Sequence, residues 1–537
     1  MSDKPSPSSP GKVALWNNVI SLFGFVVAGL AVMLLSTFTW FNVVSPVQNP
    51  YVDVIGFLVL PGFLIIGLTL IPIGVWIKYR RVRRKDPAQR VTVRLHFDVD
   101  NPIHRRRLIA FLTITFVIVL PLVGVSSYHG YHYTDSTEFC AKVCHSVMEP
   151  QAVAFERSPH ARVACAECHI GPGADWFVKS KLSGTRQVLA VLADTYPRPI
   201  PPAITELRPA RDTCEHCHWP AKFFGSQLKT VVHFGSDEQN TRREVMMLLK
   251  TGGADSSTGR TEGIHMHMAL SGSVDYVATD EGLQQIPWVR YTAKDGAVTV
   301  YRSDGRAGHE APPKGIVRRV DCMDCHNRAA HLFRTPQQAV QLALESGQLD
   351  RSLPFLKREA VAVLSEEYPD RGAAHAAIRQ GLTKFYGEIL PPDKRPEGGR
   401  VEQAIQRVID LYGQNFFPEM KVAWHTYPDN IGHVDSPGCM RCHDGLHVAD
   451  SGLVISSDCN TCHTFLNRSP DQPATLLEGE FQHSMPLTQH PNLRCHQCHS
   501  GGPLPTCAEC HESGEWLDTR GQGAFERTQT TTDDQPK

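Results

Sequence analysis

Sixteen cysteines occur in this 537-residue chain, and fourteen of them form seven pairs two residues apart, each pair followed at once by histidine. The triplets are Cys165/Cys168/His169, Cys214/Cys217/His218, Cys322/Cys325/His326, Cys439/Cys442/His443, Cys459/Cys462/His463, Cys495/Cys498/His499 and Cys507/Cys510/His511. None of the fourteen is left over for a disulfide. In Cys-x-x-Cys-His the two thiols add to one haem and the adjacent histidine becomes its proximal iron ligand. Zinc ribbons also pair cysteines this way, but they do not require a histidine directly after the second one. The last two cysteines sit in TEFCAKVCHSVMEP (137–150), where Cys140, Cys144 and His145 repeat the pattern with one extra residue in the loop. With seven such neighbours this is an eighth site, and the expected cofactor is eight haem c groups.

Apolar residues are concentrated in the first 130 positions. No Asp, Glu, Lys or Arg occurs between Lys12 and Asp53, between Asp53 and Lys78, or between Arg107 and Asp135. Each window is long enough to cross a bilayer, which takes about 20 apolar residues. This predicts three transmembrane helices at about 18–45, 54–77 and 108–128. A cleaved signal peptide would have a shorter apolar region and a small-residue cleavage site. KYRRVRRK (78–85) and HRRR (104–107) make the loop 78–107 strongly basic, which places it on the cytoplasmic side. Everything after about residue 130 is then exported, into the compartment where c-type haems are attached. The formal net charge of −1 argues against a nucleic-acid partner.

The expected fold is mainly α: three transmembrane helices and an exported multihaem cytochrome c domain of short helices and loops, with a small β insert. The chain divides into a membrane module (1–130), a three-haem module (131–225), a β-containing insert (226–315), a fourth haem segment (316–334), a helical insert (335–415), a four-haem C-terminal module (416–513) and a polar tail (514–537). Within the β insert, IPWVRYTAKDGAVTVYRS (286–303) reads as a hairpin turning at Asp295-Gly296. Within the helical insert, Thr335-Pro336 supplies an N-cap and first helical position, and REAVAVLSEEY and RVEQAIQRVIDLYG carry apolar residues at helical intervals.

A haem with only its proximal histidine can bind substrate, whereas a second protein ligand makes it an electron carrier. Eighteen of the 26 histidines are not proximal. The candidates for the distal position are His160, His265, His267, His331, His433, His447, His483 and His490, with Met148 as a thioether candidate three residues after His145. No Cys-x-x-Cys-Lys variant occurs. The run YHGYHY (128–133), at the end of the third span, reads as an interfacial aromatic belt.

Three stretches resemble the NapC/NirT family of membrane-anchored multihaem quinol dehydrogenases: TEFCAKVCHSVMEP, SPHARVACAECHIGPGADWFVKSKLSG (158–184) and RPARDTCEHCHWPAKFFG (208–225). The likeness covers about residues 108–225. Further on, GIHMHM, IPWVR, CMDCHNRAAHLF and NIGHVDSPGCMRCHDGLHVADSGLVISSDCNTCH resemble the longer inner-membrane cytochromes of metal-reducing bacteria. The resemblance implies oxidation of a quinol such as menaquinol at the bacterial inner membrane. Electrons would leave from the periplasmic side to c-type cytochromes of the periplasm or outer membrane. It also implies a quinol beside the first haem and functional lysines after the second motif, where Lys179 and Lys181 stand; His129 and His132 join them as candidates to bind the quinol or relay its protons. Tetrahaem members usually carry a methionine two residues after the first haem histidine, so Met148 departs from their pattern. The competing readings are a terminal reductase of a nitrogen or sulfur oxyanion with one open haem, and a haem wire fed by another quinol-oxidising subunit. The pattern is compatible with an oligomer as well as a monomer.

Overall fold

The computed structural model describes residues 15, 18–44, 55–85, 102–113, 116–117, 120–143, 145–171, 174–202, 209–219, 223, 225–252, 263–268, 272–303, 312–467 and 475–476. Cys144, the seventh motif (Cys495, Cys498 and His499), the eighth (Cys507, Cys510 and His511), His483, His490 and the polar tail lie outside these. The chain divides into two units, residues 1–148 with 164–166, and residues 149–163 with 167–537.

The first unit is built on two long helices, α1 (Val19–Val44) and α2 (Leu60–Lys85), of 26 residues each. At 1.5 Å per residue either reaches about 39 Å, more than the hydrocarbon core of a bilayer. They pack through small residues, as helices do where lipid removes the hydrophobic drive to associate. A Cβ on Gly67 would lie 2.6 Å from the backbone nitrogen of Ala28, so the backbones themselves are in contact. The Ser21 hydroxyl donates to the Ile71 carbonyl across the seam at 2.9 Å. Phe23, Met33, Ile65 and Trp76 point outward and are exposed, a pattern suited to lipid rather than to a water-facing surface.

Both helices are long and apolar enough to cross a membrane. The third expected span, about 108–128, is described only in part. Its described parts include α3 (Pro102–Thr113) and α4 (Leu120–Thr134), 12 and 15 residues long. Pro102 opens the first and Pro121 stands at the second position of the other, where a missing N–H costs nothing. The basic loop is also shorter than expected, because Lys78–Lys85 continues α2; Lys and Arg are good helix formers and extend it past its apolar part.

The second unit holds a short-element region that carries the third to sixth motifs, and His169 of the second, together with a separate helical region. Near the motifs, helices last one turn: α6 (Cys165–His169), α8 (Ala210–Cys214), α9 (Cys322–Cys325), and 3-10 turns at Gly438–Arg441 and Cys459–Thr461. Two longer helices flank the first two motifs, α5 (His145–Glu156) and α7 (Ala174–Leu192). One sheet pairs β1 (Gln227–Phe234) with β2 (Arg242–Leu249) and continues into β8 (His463–Asn467) and β9 (Thr475–Leu476). The other runs β6 (Val317–Arg319), β3 (Gly272–Val277), β4 (Trp288–Ala293), β5 (Val298–Arg302), β7 (Val448–Ala449).

The expected hairpin is β4–β5, with Gly296 at φ 87° closing the turn. The β insert is not self-contained, however. Each of its sheets ends on strands from residues 448–476, which close edges that would otherwise stay open.

In the helical insert, Thr335 and Gln338 form a reciprocal capping box ahead of α10 (Pro336–Glu345). It is followed by α11 (Leu356–Ser365), α12 (Arg371–Lys384) and α13 (Gly398–Asn415). Their apolar faces meet in one core in which Leu353, Leu356, Leu364, Ile378, Leu382 and Val408 are fully buried. Val232 and Phe234 of β1 join this core.

Candidate haem-binding sites

Five of the motif histidines each face a second histidine across a similar gap. The ring centres are 6.2 Å apart for His169 and His331, 6.2 Å for His218 and His160, and 6.3 Å for His326 and His265. They are 5.9 Å apart for His443 and His267 and 6.3 Å for His463 and His433. Two metal–imidazole bonds of about 2 Å, plus roughly 1 Å from each ring centre to its nitrogen, sum to about 6 Å. The gap thus has the width of one iron atom with an imidazole on either side. Among the described residues no group of three or more His, Cys, Asp or Glu side chains converges, as tetrahedral zinc would require. None of the eleven cysteines described is in a disulfide.

Those cysteines are not equally enclosed. Nine are half-buried, but Cys168 and Cys217, the second cysteines of the second and third motifs, are exposed. Cys168 is on the one-turn helix α6 and Cys217 in the turn that follows α8, elements too short to fold back over both of their thiols. Thioether bonds form at the edge of the macrocycle, so an exposed sulfur is compatible with the attachment expected of both residues. The same expectation for Cys498 and His499, and for Cys510 and His511, falls outside the described residues.

The backbone sets which nitrogen faces the gap. Nδ1 of His331 donates to the Gln151 carbonyl at 3.1 Å, Nδ1 of His160 to Ala329 at 3.2 Å, and Nδ1 of His443 to Ser456 at 2.8 Å. His265 and His267 do the same toward the carbonyls of Thr251 and Ile264, at 2.5 and 2.6 Å. A carbonyl can only accept, so in each ring the proton is on Nδ1 and the Nε2 lone pair is left for a metal. Burial reinforces this. It pushes the His331 imidazole down to about 4 and is the largest cause lowering His169, His326, His433, His443 and His463. Neutral imidazole is the form that ligates.

His447 faces no motif histidine among the described ring contacts. It is buried with both nitrogens occupied, Nδ1 by the Asp444 carboxylate at 2.9 Å and Nε2 by the Ile286 carbonyl at 2.7 Å. It ties the approach to the β4 strand to the fifth motif. Met148 is half-buried on α5. His483 and His490 lie outside the described residues, as do the side chain of His145 and all of Cys144.

The quinol-site candidates fall in both units. In the first, His132 rests against Tyr128 and Tyr131 with ring centres 4.5 and 5.3 Å away, and His129 lies edge-on to Tyr128 at 5.6 Å, all at the end of α4. In the second, Lys179 is exposed on α7 with its ammonium 4.7 Å from the Trp176 ring, and Lys181 is half-buried two residues on. Leu182, Leu189 and Leu192 stand exposed on the same helix at spacings that align them on one side.

Successive motifs also touch. Cys140 lies beside Cys165, and this contact is the main reason the Cys165 thiol is pulled down to about 6. Cys214 hydrogen-bonds Cys322, which pushes the Cys214 thiol up and the Cys322 thiol down. Burial, and after it Cys439, pushes Cys325 up to about 12. Sequence reasoning passed over two residues that stand between the cysteines of their own motifs, Asp324 and Arg441. The buried Arg441 guanidinium donates from Nη2 to the Asp324 carbonyl at 2.6 Å and from Nη1 to Leu283 at 2.7 Å. The only signal was a charged residue held inside a motif, where burial makes a charge costly unless it is hydrogen-bonded.

Residues 102–199 match the model of the NapC/NirT cytochrome c family, N-terminal region. The chain is similar to cytochrome c-type protein ImcH of Geobacter sulfurreducens, 42% identical over 488 residues that cover 90% of this chain and 95% of that protein. It also matches one subunit of the NADH-quinone oxidoreductase of Saccharopolyspora erythraea at 22% identity, over 40% of this chain and 46% of that protein. No solved structure matches.

Proposed function

This chain belongs to the ImcH-like cytochromes of the NapC/NirT family, and from that premise we propose that it is an octahaem quinol dehydrogenase of the bacterial inner membrane. That it is a membrane cytochrome of the multihaem, electron-transferring kind follows from the family. The finer reading rests on one observation, the five opposed histidine pairs: a site with an imidazole on both sides carries electrons and has no open position for an oxyanion. His331, His160, His265, His267 and His433 are then the distal ligands of the second to sixth haems. Each haem, when bound, supplies reversible one-electron transfer and takes up no proton.

Oxidising a quinol to its quinone releases two electrons and two protons, so protein groups must receive the protons. Lys179 and Lys181, on a helix with an exposed leucine face, suit a site at the membrane surface. His129 and His132, at the end of α4, are the second set of candidates to hold the quinol oxygen or accept its proton. The basic end of α2 is cytoplasmic in this reading, and α4 leads to the exported side, where electrons pass to periplasmic or outer-membrane c-type cytochromes.

The test is stopped-flow haem reduction by a menaquinol analogue in the purified, detergent-solubilised protein. Wild type is reduced rapidly, and Lys181→Ala slows this by roughly 10²-fold with the haem content unchanged. Met148→Ala, run in parallel, reports on the first haem. No reduction by quinol, with haems that still reduce normally with dithionite, would overturn the dehydrogenase and leave a wire fed by another protein.

A further inference from the structure

His265 and His267 lie two residues apart on one 3-10 turn, Ile264–His267, yet they face histidines of different motifs, His326 and His443. The turn is anchored by backbone bonds. Ile264 donates to the Lys250 carbonyl at 2.8 Å and His265 to Gly252 at 3.0 Å. Gly263, at φ 94°, lets the chain enter the turn, and a Cβ there would lie 2.6 Å from the carbonyls of Lys250 and Gly252. Neither imidazole can shift without moving the backbone that carries the other.

The opposite sides of the two sites are joined as well. Arg441, inside the fifth motif, donates to the Asp324 carbonyl inside the fourth. The same carbonyl accepts Asn430 Nδ2 at 3.1 Å, and Asn327, directly after His326, accepts the Asn430 N–H at 2.9 Å and donates to Pro428 at 2.9 Å. Tyr276 fixes the Asp324 carboxylate from the β3 strand at 2.5 Å. Thus 117 residues separate His326 from His443 in the chain, yet the two motifs share hydrogen-bonded backbone.

We propose that the fourth and fifth haem sites form one mechanically coupled unit, clamped on the distal side by the His265-Met266-His267 turn and on the proximal side by the Arg441–Asp324 bridge. Arg441 is a positioning residue in this unit. The proposal rests on the ligand assignment made above and adds that the two ligand sets cannot relax independently.

The ring planes provide a readout. His265 and His326 are nearly parallel, at 4°, while His267 and His443 are nearly perpendicular, at 84°; these are the extremes of the five pairs. In low-spin ferric haems, parallel imidazoles give a rhombic electron paramagnetic resonance signal, and perpendicular ones give a strongly anisotropic signal with a large maximal g. A neighbouring charge shifts a potential but does not rotate a ring, so the g values report the coupling itself.

The experiment is EPR of the oxidised, full-length holoprotein in detergent, comparing wild type with His265→Ala, His433→Ala and Arg441→Gln. Expected is a high-spin haem in both histidine variants. In His265→Ala the rhombic component is lost and the large-g component also moves, whereas His433→Ala leaves both in place. Arg441→Gln keeps every haem low-spin and moves both components. If the large-g component is unchanged in both His265→Ala and Arg441→Gln, the coupling is wrong while the ligands stand. If neither histidine variant gains a high-spin haem, the ligand assignment itself fails, and the coupling with it.

Discussion

Residues 336–416 and the segments that carry the third to sixth motifs belong to one unit, but their interiors are made differently. The helical insert is closed by its own side chains, with leucine, isoleucine and valine from four helices fully buried in a single core. Around the motifs the buried apolar cluster is small, centred on Tyr276, Ile286 and Val289, and the helices last one turn. What holds that region is a net of hydrogen bonds to backbone carbonyls, arranged around gaps the width of a ligated iron. One region is held by packing and the other by hydrogen bonds around the sites expected to bind haem, so they should fail in different ways.

The largest effect should come from withholding haem. In chain exported without haem attachment, amide hydrogen exchange should become fast over 320–330 and 436–463 while 336–415 stays protected; uniform loss of protection would break the comparison. Next comes Leu356→Ala, which removes a fully buried side chain and should cost about 2–5 kcal/mol. Denaturant unfolding followed by helical circular dichroism should show the shift, with the ferric haem spectrum unaltered below the transition. Gly438→Ala probes the other side. Gly438 holds φ 48° just ahead of Cys439, and a Cβ there would collide with the Gly432 carbonyl. The strain of about 1–3 kcal/mol should fall on the fifth site and appear as lowered haem occupancy by mass, with the insert's stability untouched.

The smallest effect is a pH dependence. His233 sits where β1 meets the insert, its Nε2 3.3 Å from the ammonium of buried Lys357, which also donates to the Phe234 carbonyl. Burial, and then Lys357, pushes this imidazole down to about 4. The unfolded chain, with His near 6.5, binds the proton first, so stability is full above about 6.5 and falls as pH drops toward 4. His233→Gln should flatten that limb in pH-dependent unfolding, and an unchanged profile would assign the dependence elsewhere.

These regions were also unequally legible from sequence. The insert announced itself because packing is periodic: Thr335-Pro336 and the apolar spacing of residues 401–412 lead to the observed cap and helices. The motifs mark where haems are expected to attach, because that chemistry is local, but they carry no signal for exposure, and Cys168 and Cys217 differ from their motif partners in that alone. The distal partners were a different matter. Five of the nine distal candidates face a motif histidine, but His447 resembled them in sequence and differs only in what its nitrogens touch. The bridge from Arg441 uses a carbonyl acceptor, which every residue possesses and no residue type reveals. The strands shared between residues 242–249 and 463–467 were missed for a related reason, since register across two hundred residues has no local signature. The third membrane span, expected from its lack of charge, includes residues outside the described ones.

The histidine pairs have a consequence for how the molecule is made. In the proposed topology export delivers the chain from its amino end, and at four of the five sites the proposed distal histidine precedes its motif: His160 before His218, His265 before His326, His267 before His443, and His433 before His463. When those cysteines emerge, the second ligand has already crossed. The site at His169 is the exception, because His331 follows it by 162 residues. On the proposed assignment, a haem newly attached there would stay half-ligated until the fourth motif had been threaded through.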